Sequence, residues 1–196
     1  MRPKNACMLL LTAFIWGTAF VAQSVGMDYL EPFTFNGVRC LIGAIALLPC
    51  IWFFNRGKEK ENKINDENAK RDLIKGGIAC GILLFAASSL QQIGLVYTAA
   101  GKAGFITAFY IVLVPVFGIF LHKNIGWKVW TAVAIALAGL YFLCITEAFT
   151  IGVGDIYVFL CALIFSVHIL VVDHYSPKVD GVKLSCIQFL VAGIVS

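Results

Sequence analysis

The sequence predicts an all-α protein that crosses a membrane several times. Of its 196 residues, 60% are hydrophobic and only 13% are charged, whereas soluble domains are about 45–50% apolar and about 25% charged. The mean hydropathy is +0.89, more than one buried core requires. The apolar residues also form uncharged runs of about 20 residues, the length of a membrane-spanning helix. We therefore expect a polytopic helical membrane protein.

The uncharged runs predict six complete spans and the beginning of a seventh. The first run is long enough to cross a membrane and lacks a clear small-x-small cleavage site, so we expect a retained helix rather than a signal peptide. The seventh run begins near Leu184 and reaches Ser196 before it attains a full span, so we expect the chain to be a fragment. The complete spans are predicted at residues 6–27, 33–54, 76–98, 103–121, 125–145 and 156–172.

The distribution of Lys and Arg predicts the orientation. With a cytoplasmic N-terminus, all 15 basic residues except Arg39 and Lys102 lie on the cytoplasmic side, as the positive-inside rule requires. Residues 55–72 are polar and carry charges of both signs, which predicts a solvated cytoplasmic loop. The net charge of +4 is thus a topology signal, and we expect no nucleic-acid partner. The predicted location is the plasma or inner membrane.

The first and sixth spans align with each other at an offset of 149 residues. AFIWGTAFV (13–21) then matches ALIFSVHIL (162–170), and Arg39 falls opposite Gln188. Each unit holds five spans, and an odd number makes the second copy enter the membrane with the opposite orientation. Inverted repeats of this kind recur in secondary transporters, with a central site between the halves.

Several stretches, taken in order, carry a resemblance to a known family. They are LLLTAFIWGTAFVA, EPFTFNGVRCLIGA, GLVYTAAGKAGFITAFYIVLVPVFG, AIALAGLYFL and GDIYVFLCALIFSVHILVVDHYS. The chain resembles the EamA family of the drug/metabolite transporter superfamily. The resemblance implies a ten-helix fold of two inverted five-helix repeats. Residues 1–149 would form the first repeat, and residues 150–196 would begin the second.

The resemblance also implies a secondary transporter that works by alternating access and exports small metabolites. Aromatic, amide and cationic side chains in the spans would suit zwitterions such as amino acids. The expected partners are a small-molecule metabolite and the lipid bilayer. Because half the wall of a central site would be missing, we expect that the chain does not transport by itself.

Polar side chains within the predicted spans are the candidate substrate-binding residues. In the first span Thr12, Trp16, Ala19 and Gln23 fall within one arc at 100° per residue. Such a stripe either packs against another helix or lines a cavity, where Trp16 offers a stacking surface. The candidates are Trp16, Gln23, Asn36, Arg39, Ser88, Gln92, Tyr110, His168 and Gln188.

Arg39 is the charged residue that needs an explanation. It lies roughly 9 Å into the second span, at 1.5 Å per residue, and a charge at mid-bilayer costs at least ~2.5–3.5 kcal/mol. It either snorkels to the outer surface or faces the bundle interior. We predict the interior position, because Arg39 shares a face with Asn36 and Gly43. No acidic residue lies at its depth, so its expected partners are helix-end carbonyls or a substrate carboxylate.

The remaining candidates leave two roles open. Ser88 and Gln92, one turn apart, either join helices or line the path. Tyr110 precedes Pro115, whose missing donor can kink a helix. His168 is the histidine well inside a span, and it is either a packing residue or a proton carrier.

The motifs of other function classes are missing from the sequence. It has no GxSxG, no HExxH and no paired aspartates in spans, and its seven cysteines include no CxxC pair. We therefore expect no enzyme activity, catalytic residue, metal or cofactor. A channel requires a ring of charged residues or a filter sequence, and neither is visible in the sequence. A scaffold would not need polar stripes on its helices. The alternative to a transporter remains a non-transporting membrane scaffold or a channel-like protein.

The predicted orientation can be tested by cysteine labelling. Lys63→Cys, in the loop at residues 55–72, should resist a membrane-impermeant thiol reagent applied to intact cells, because the loop is predicted to be cytoplasmic. Efficient labelling from outside would overturn the orientation.

Overall fold

The computed structural model describes residues 3–58, 67–121, 126–144 and 152–196, and these residues form eight α-helices. Five segments are long and apolar enough to cross a membrane, and one of them, Ala100–Phe120, combines the fourth and fifth helices. The helices are α1 (Pro3–Gly26), α2 (Pro32–Lys58), α3 (Glu67–Tyr97), α4 (Ala100–Ala108), α5 (Tyr110–Phe120), α6 (Trp127–Cys144), α7 (Val153–Tyr175) and α8 (Gly181–Val195).

Each predicted span coincides with a helix or a helix pair, but two details of the prediction are wrong. The loop predicted at residues 55–72 is shorter, because α2 continues to Lys58 and α3 already begins at Glu67; residues 59–66, which include Lys63, lie outside the described residues. The fourth span is interrupted at Phe109, whereas Pro115, the residue expected to kink it, lies inside α5. Charged residues continue α3 beyond its apolar run, a continuation that an uncharged-run criterion cannot detect.

The helix α3 is the centre of the bundle, since it packs against both α7 and α8. Its contact face consists of small residues, which let neighbouring helices approach closely in a membrane. A Cβ added at Gly76 would lie 2.7 Å from the Tyr175 ring, and one added at Gly81 would lie 2.6 Å from Val191 Cβ. Because α8 also packs against α2, the last two helices lie directly on the second and third.

The helices α3 and α7 cross most closely where Gly94 meets Gly154. A Cβ added at Gly154 would lie 2.8 Å from the carbonyl oxygen of Gly94 and would also collide with Thr98. Val158, one turn further along α7, is completely buried and forms a small core with Leu95. The two glycines are thus required by the close approach of the two backbones.

Asp155 joins three helices near this crossing. Its carboxylate pairs with Lys102 Nζ at 2.6 Å, and it accepts hydrogen bonds from Thr98 Oγ1 at 3.0 Å and from the Gly152 backbone N–H at 2.8 Å. The last bond places a negative charge at the N-terminus of α7, where the helix dipole favours it. The end of α3 and the beginnings of α4 and α7 are therefore held together at one end of the bundle.

The glycine crossing generates a stability prediction. Gly154→Ala should lower the thermal unfolding midpoint in detergent, because the new Cβ would meet a backbone oxygen that cannot rotate away; overpacking of this kind costs about 1–3 kcal/mol. The matched control is Gly104→Ala, since a Cβ there has nothing within 4 Å. Equal midpoints for the two variants would contradict the close crossing of α3 and α7.

Candidate functional site

Two side-chain amides hold the guanidinium of Arg39, which lies on α2. One amide belongs to Gln23 on α1 and the other to Asn36 on α2. Its Nη1 donates to Gln23 Oε1 at 2.6 Å, and its Nη2 donates to Asn36 Oδ1 at 2.9 Å. The guanidinium carbon lies 5.9 Å from the centre of the Phe35 ring. The expectation that helix-end carbonyls are the protein partners of Arg39 is therefore wrong, because neutral amide oxygens take that place.

The network continues from Gln23 to α3. Gln23 Oε1 accepts a second hydrogen bond from Gln92 Nε2 at 2.9 Å, and Gln23 Nε2 donates to the backbone carbonyl of Ala19 at 3.1 Å. We call Gln23, Asn36, Arg39 and Gln92 the Arg39 cluster. It joins α1, α2 and α3 through side chains alone.

A second branch of the network runs from Asn36 to α8. Asn36 Nδ2 donates to Ser196 Oγ at 3.1 Å, and the Ser196 hydroxyl donates to the backbone carbonyl of Phe33 at 3.0 Å. Asn36 Oδ1 is also 3.8 Å from the thiol of Cys40. The cluster is thereby connected to a helix of the predicted second unit.

Burial makes the cluster energetically demanding. Asn36 and Gln92 are 0% exposed, and Gln23 is 6% exposed. Buried polar atoms almost always have hydrogen-bond partners, yet Gln92 Oε1 has none among the described residues. Leaving a buried acceptor unsatisfied costs about 1–3 kcal/mol. Lys102 and Asp155 form an ion pair, whereas Arg39 has no carboxylate of a described residue at ion-pair distance.

The comparisons with known proteins decide the family. Residues 4–145 match the sequence model of the EamA-like transporter family. The chain belongs to this family. It is also 35% identical over 191 residues to a protein of Archaeoglobus fulgidus named "Uncharacterized transporter", an alignment that covers 96% of this chain and 55% of that protein. The EamA-like chain thus spans about half the length of this curated relative. No solved structure matches it.

The structure gathers four of the nine predicted site residues of this EamA-like chain into the Arg39 cluster. Two others form a separate pair between α7 and α8, in which His168 Nε2 lies 3.1 Å from Gln188 Oε1. Since Arg39 and Gln188 are aligned in the predicted repeat, a polar residue of the second helix contacts the first helix in both units. This likeness supports the repeat, which remains a prediction.

The other three predicted residues lie outside both groups. Trp16 is 50% exposed, and of the stripe predicted on α1 only Gln23 is buried. Ser88 donates to the carbonyl of Leu84 in its own helix at 2.6 Å. Tyr110 is half-buried at the beginning of α5. A role for these three residues in binding has no support from the contacts described.

Sequence reasoning passed over one buried contact beside the cluster. Gln91 Nε2 donates to Thr107 Oγ1 at 3.2 Å, and this bond joins α3 to α4. The signal was the adjacent pair of glutamines in SSLQQ, which face different neighbours because consecutive helical residues point about 100° apart. Gln91 therefore serves packing, while Gln92 belongs to the cluster.

An apolar groove between α5 and α7 is distinct from the cluster. Its volume is about 510 Å³, and no residue of the cluster lines it. Its walls include Phe117, Phe120, Val167 and Leu170. His174 and Tyr175 are the polar residues among its lining, and the rest of the lining is apolar, so the groove is less suited than the cluster to a charged metabolite.

Proposed function

We propose that the protein is a secondary transporter that exports small metabolites carrying a carboxylate, such as amino acids, by alternating access. The observation that carries the proposal is the environment of Arg39. The Arg39 side chain is half-buried, two amide oxygens orient its guanidinium, and no carboxylate among the described residues neutralises it. A cation in this situation is suited to a carboxylate supplied by the substrate.

The chemistry of the guanidinium supports this choice of ligand. Arginine has five N–H donors in a planar fork that matches a carboxylate, and charge-assisted bonds of this type are roughly twice as strong as neutral ones. Asn36 accepts from Nη2 at 2.9 Å and restricts the orientation of the fork, so less side-chain entropy is lost when a ligand takes the place of Gln23. The full positive charge remains, because both partners are neutral amides.

The position of the cluster also suits a transporter. It lies among α1, α2 and α3 and reaches α8 through Ser196. Secondary transporters place their site where the two repeats meet, and α8 belongs to the predicted second unit. With the predicted orientation, Arg39 would lie near the outer mouth of the path.

The packing of α1 supports a change between closed and open states. Gln23 is the one buried side chain described on α1, and it is also the residue that contacts both Arg39 and Gln92. A helix with so little buried surface can separate from α3 when a ligand replaces the contacts of Gln23. The cluster would thus be enclosed in one state and accessible in another.

Arg39→Lys tests the proposal by flux measurements. In proteoliposomes with a version that carries all ten expected helices, flux of the transported amino acid should fall at least about tenfold, because lysine cannot form the forked contact and a hydrogen bond to a charged group contributes about 1.5–3 kcal/mol. Arg71→Lys, on the exposed beginning of α3, is the matched control and should keep wild-type flux. Wild-type flux with Arg39→Lys, at equal protein abundance, would favour a snorkelling arginine and overturn the proposal.

A further inference from the structure

Gln92 carries a buried oxygen that the fold leaves without a partner. The side chain is 0% exposed, and its Oε1 accepts no hydrogen bond from any described residue. Its other amide atom, Nε2, donates to Gln23 Oε1 at 2.9 Å. Buried amide oxygens are rarely left in this state, so this one is a candidate contact for a ligand.

The charge of Arg39 determines that the unpartnered atom is an oxygen. A guanidinium can only donate, so the Gln23 atom that faces it must be Oε1, and Gln23 Nε2 must face the Ala19 carbonyl, as it does. The Gln92 atom that faces Gln23 Oε1 must then be a nitrogen. Rotating the Gln92 amide by 180° would bring two oxygens together. The open position of Gln92 is therefore an acceptor, and only a donor can fill it.

We propose that Gln92 Oε1 accepts a hydrogen bond from the ammonium group of a zwitterionic substrate whose carboxylate is bound by Arg39. Gln92 would thus make the transporter prefer amino acids to carboxylic acids without an amino group. This inference rests on the proposed function, since it names a second contact for the same ligand.

The order of polar atoms within the cluster matches the two charged groups of an α-amino acid. The guanidinium donates to Gln23 Oε1 at 2.6 Å, the same oxygen accepts from Gln92 Nε2 at 2.9 Å, and Gln92 Oε1 belongs to the same amide as Nε2. Gln23 Oε1 occupies the place of a ligand carboxylate oxygen, because it accepts from both Arg39 and Gln92. When the carboxylate replaces Gln23, Gln92 can donate to it through Nε2 and accept from the ammonium through Oε1.

Ser89 shows why an unpartnered atom alone is not sufficient. Its hydroxyl is also buried without a partner, but a serine hydroxyl rotates and can donate to a carbonyl of its own helix, as Ser88 does with Leu84. The amide of Gln92 has no such freedom, because its Nε2 is held by Gln23. Ser89 therefore gives no indication of a ligand, whereas the open acceptor of Gln92 does.

The test compares ligands that differ only in the amino group. Binding and flux are measured in the full-length transporter for alanine against propionate, leucine against 4-methylpentanoate, and phenylalanine against 3-phenylpropionate. The comparison uses the pair whose amino acid binds best. The wild type should bind that amino acid at least about tenfold more tightly than its matched acid, because a site built for a donor rejects an analogue that lacks it. Gln92→Met, which keeps the length of the side chain but removes both the Nε2 donor and the Oε1 acceptor, should abolish most of this preference, because only the Oε1 contact distinguishes the amino acid from the acid. Gln91→Met, at the neighbouring glutamine outside the cluster, should retain it.

The outcomes separate this inference from the proposed function. A larger loss of binding for the amino acid than for the matched acid supports the role of Gln92, because both ligands lose the Nε2 donor and only the amino acid also loses the Oε1 acceptor. An equal loss for both ligands, or no change for either, contradicts it while leaving the carboxylate contact of Arg39 intact. A wild type that binds none of the six compounds overturns the proposed function itself. Gln92→Asn is the second variant if Gln92→Met does not give a monodisperse protein. Its side chain is one methylene shorter, so the acceptor is withdrawn and the preference for the amino acid should weaken. An unchanged preference in Gln92→Asn would contradict the inference.

Discussion

The permanent positive charge of Arg39 determines the direction of every hydrogen bond around it. Because a guanidinium only donates, Gln23 and Asn36 must turn their oxygens toward it and their nitrogens away. Those nitrogens donate to Ala19 and Ser196, and Gln92 must in turn face Gln23 with its own nitrogen. One charge thus orders amides from three helices, and it leaves a single buried acceptor at the end of the chain of bonds.

The packing of α3 is the condition that lets this cluster form. Glycines on α3 allow α7 and α8 to approach its backbone, and Gly94 and Gly154 meet where a larger residue would collide. Asp155 then joins the ends of α3, α4 and α7 through Lys102 and Thr98. In contrast, Gln23 is the one buried side chain described on α1, although Phe20 also packs against the core that Leu95 and Val158 form. A well-packed centre beside a weakly packed helix would allow the change of state in the proposed alternating access.

Much of the fold could be predicted from the sequence, because a membrane imposes long apolar runs that are visible residue by residue. The beginning of α3 at Glu67 and the interruption at Phe109 could not be predicted, since neither involves a break in hydropathy or a proline. The polar contact of the half-buried Arg39 with Asn36 could be expected, because the two residues share a face of α2. Its contact with Gln23 could not, because Gln23 lies on another helix and only three-dimensional packing brings it within reach. Trp16 was predicted as a site residue for its stacking surface, but it is half-exposed. Its exposure depends on which face α1 turns toward the bundle, and the sequence of a weakly amphipathic helix does not show this.

The most direct test of the account measures whether amino-acid binding depends on a free Arg39 guanidinium. Gln23→Glu would place a carboxylate of the protein itself against the guanidinium, at the position that Gln23 Oε1 occupies at 2.6 Å. An ion pair replaces a bond in which only the donor is charged, while the bond from Gln23 Nε2 to the Ala19 carbonyl is lost, so the protein should stay folded, with a thermal midpoint close to that of the wild type. The account predicts that amino-acid binding by this variant, measured by calorimetry in nanodiscs, falls at least about tenfold, because the ligand carboxylate must compete with an internal one. Wild-type affinity in a folded Gln23→Glu protein would contradict the claim that Arg39 binds the substrate.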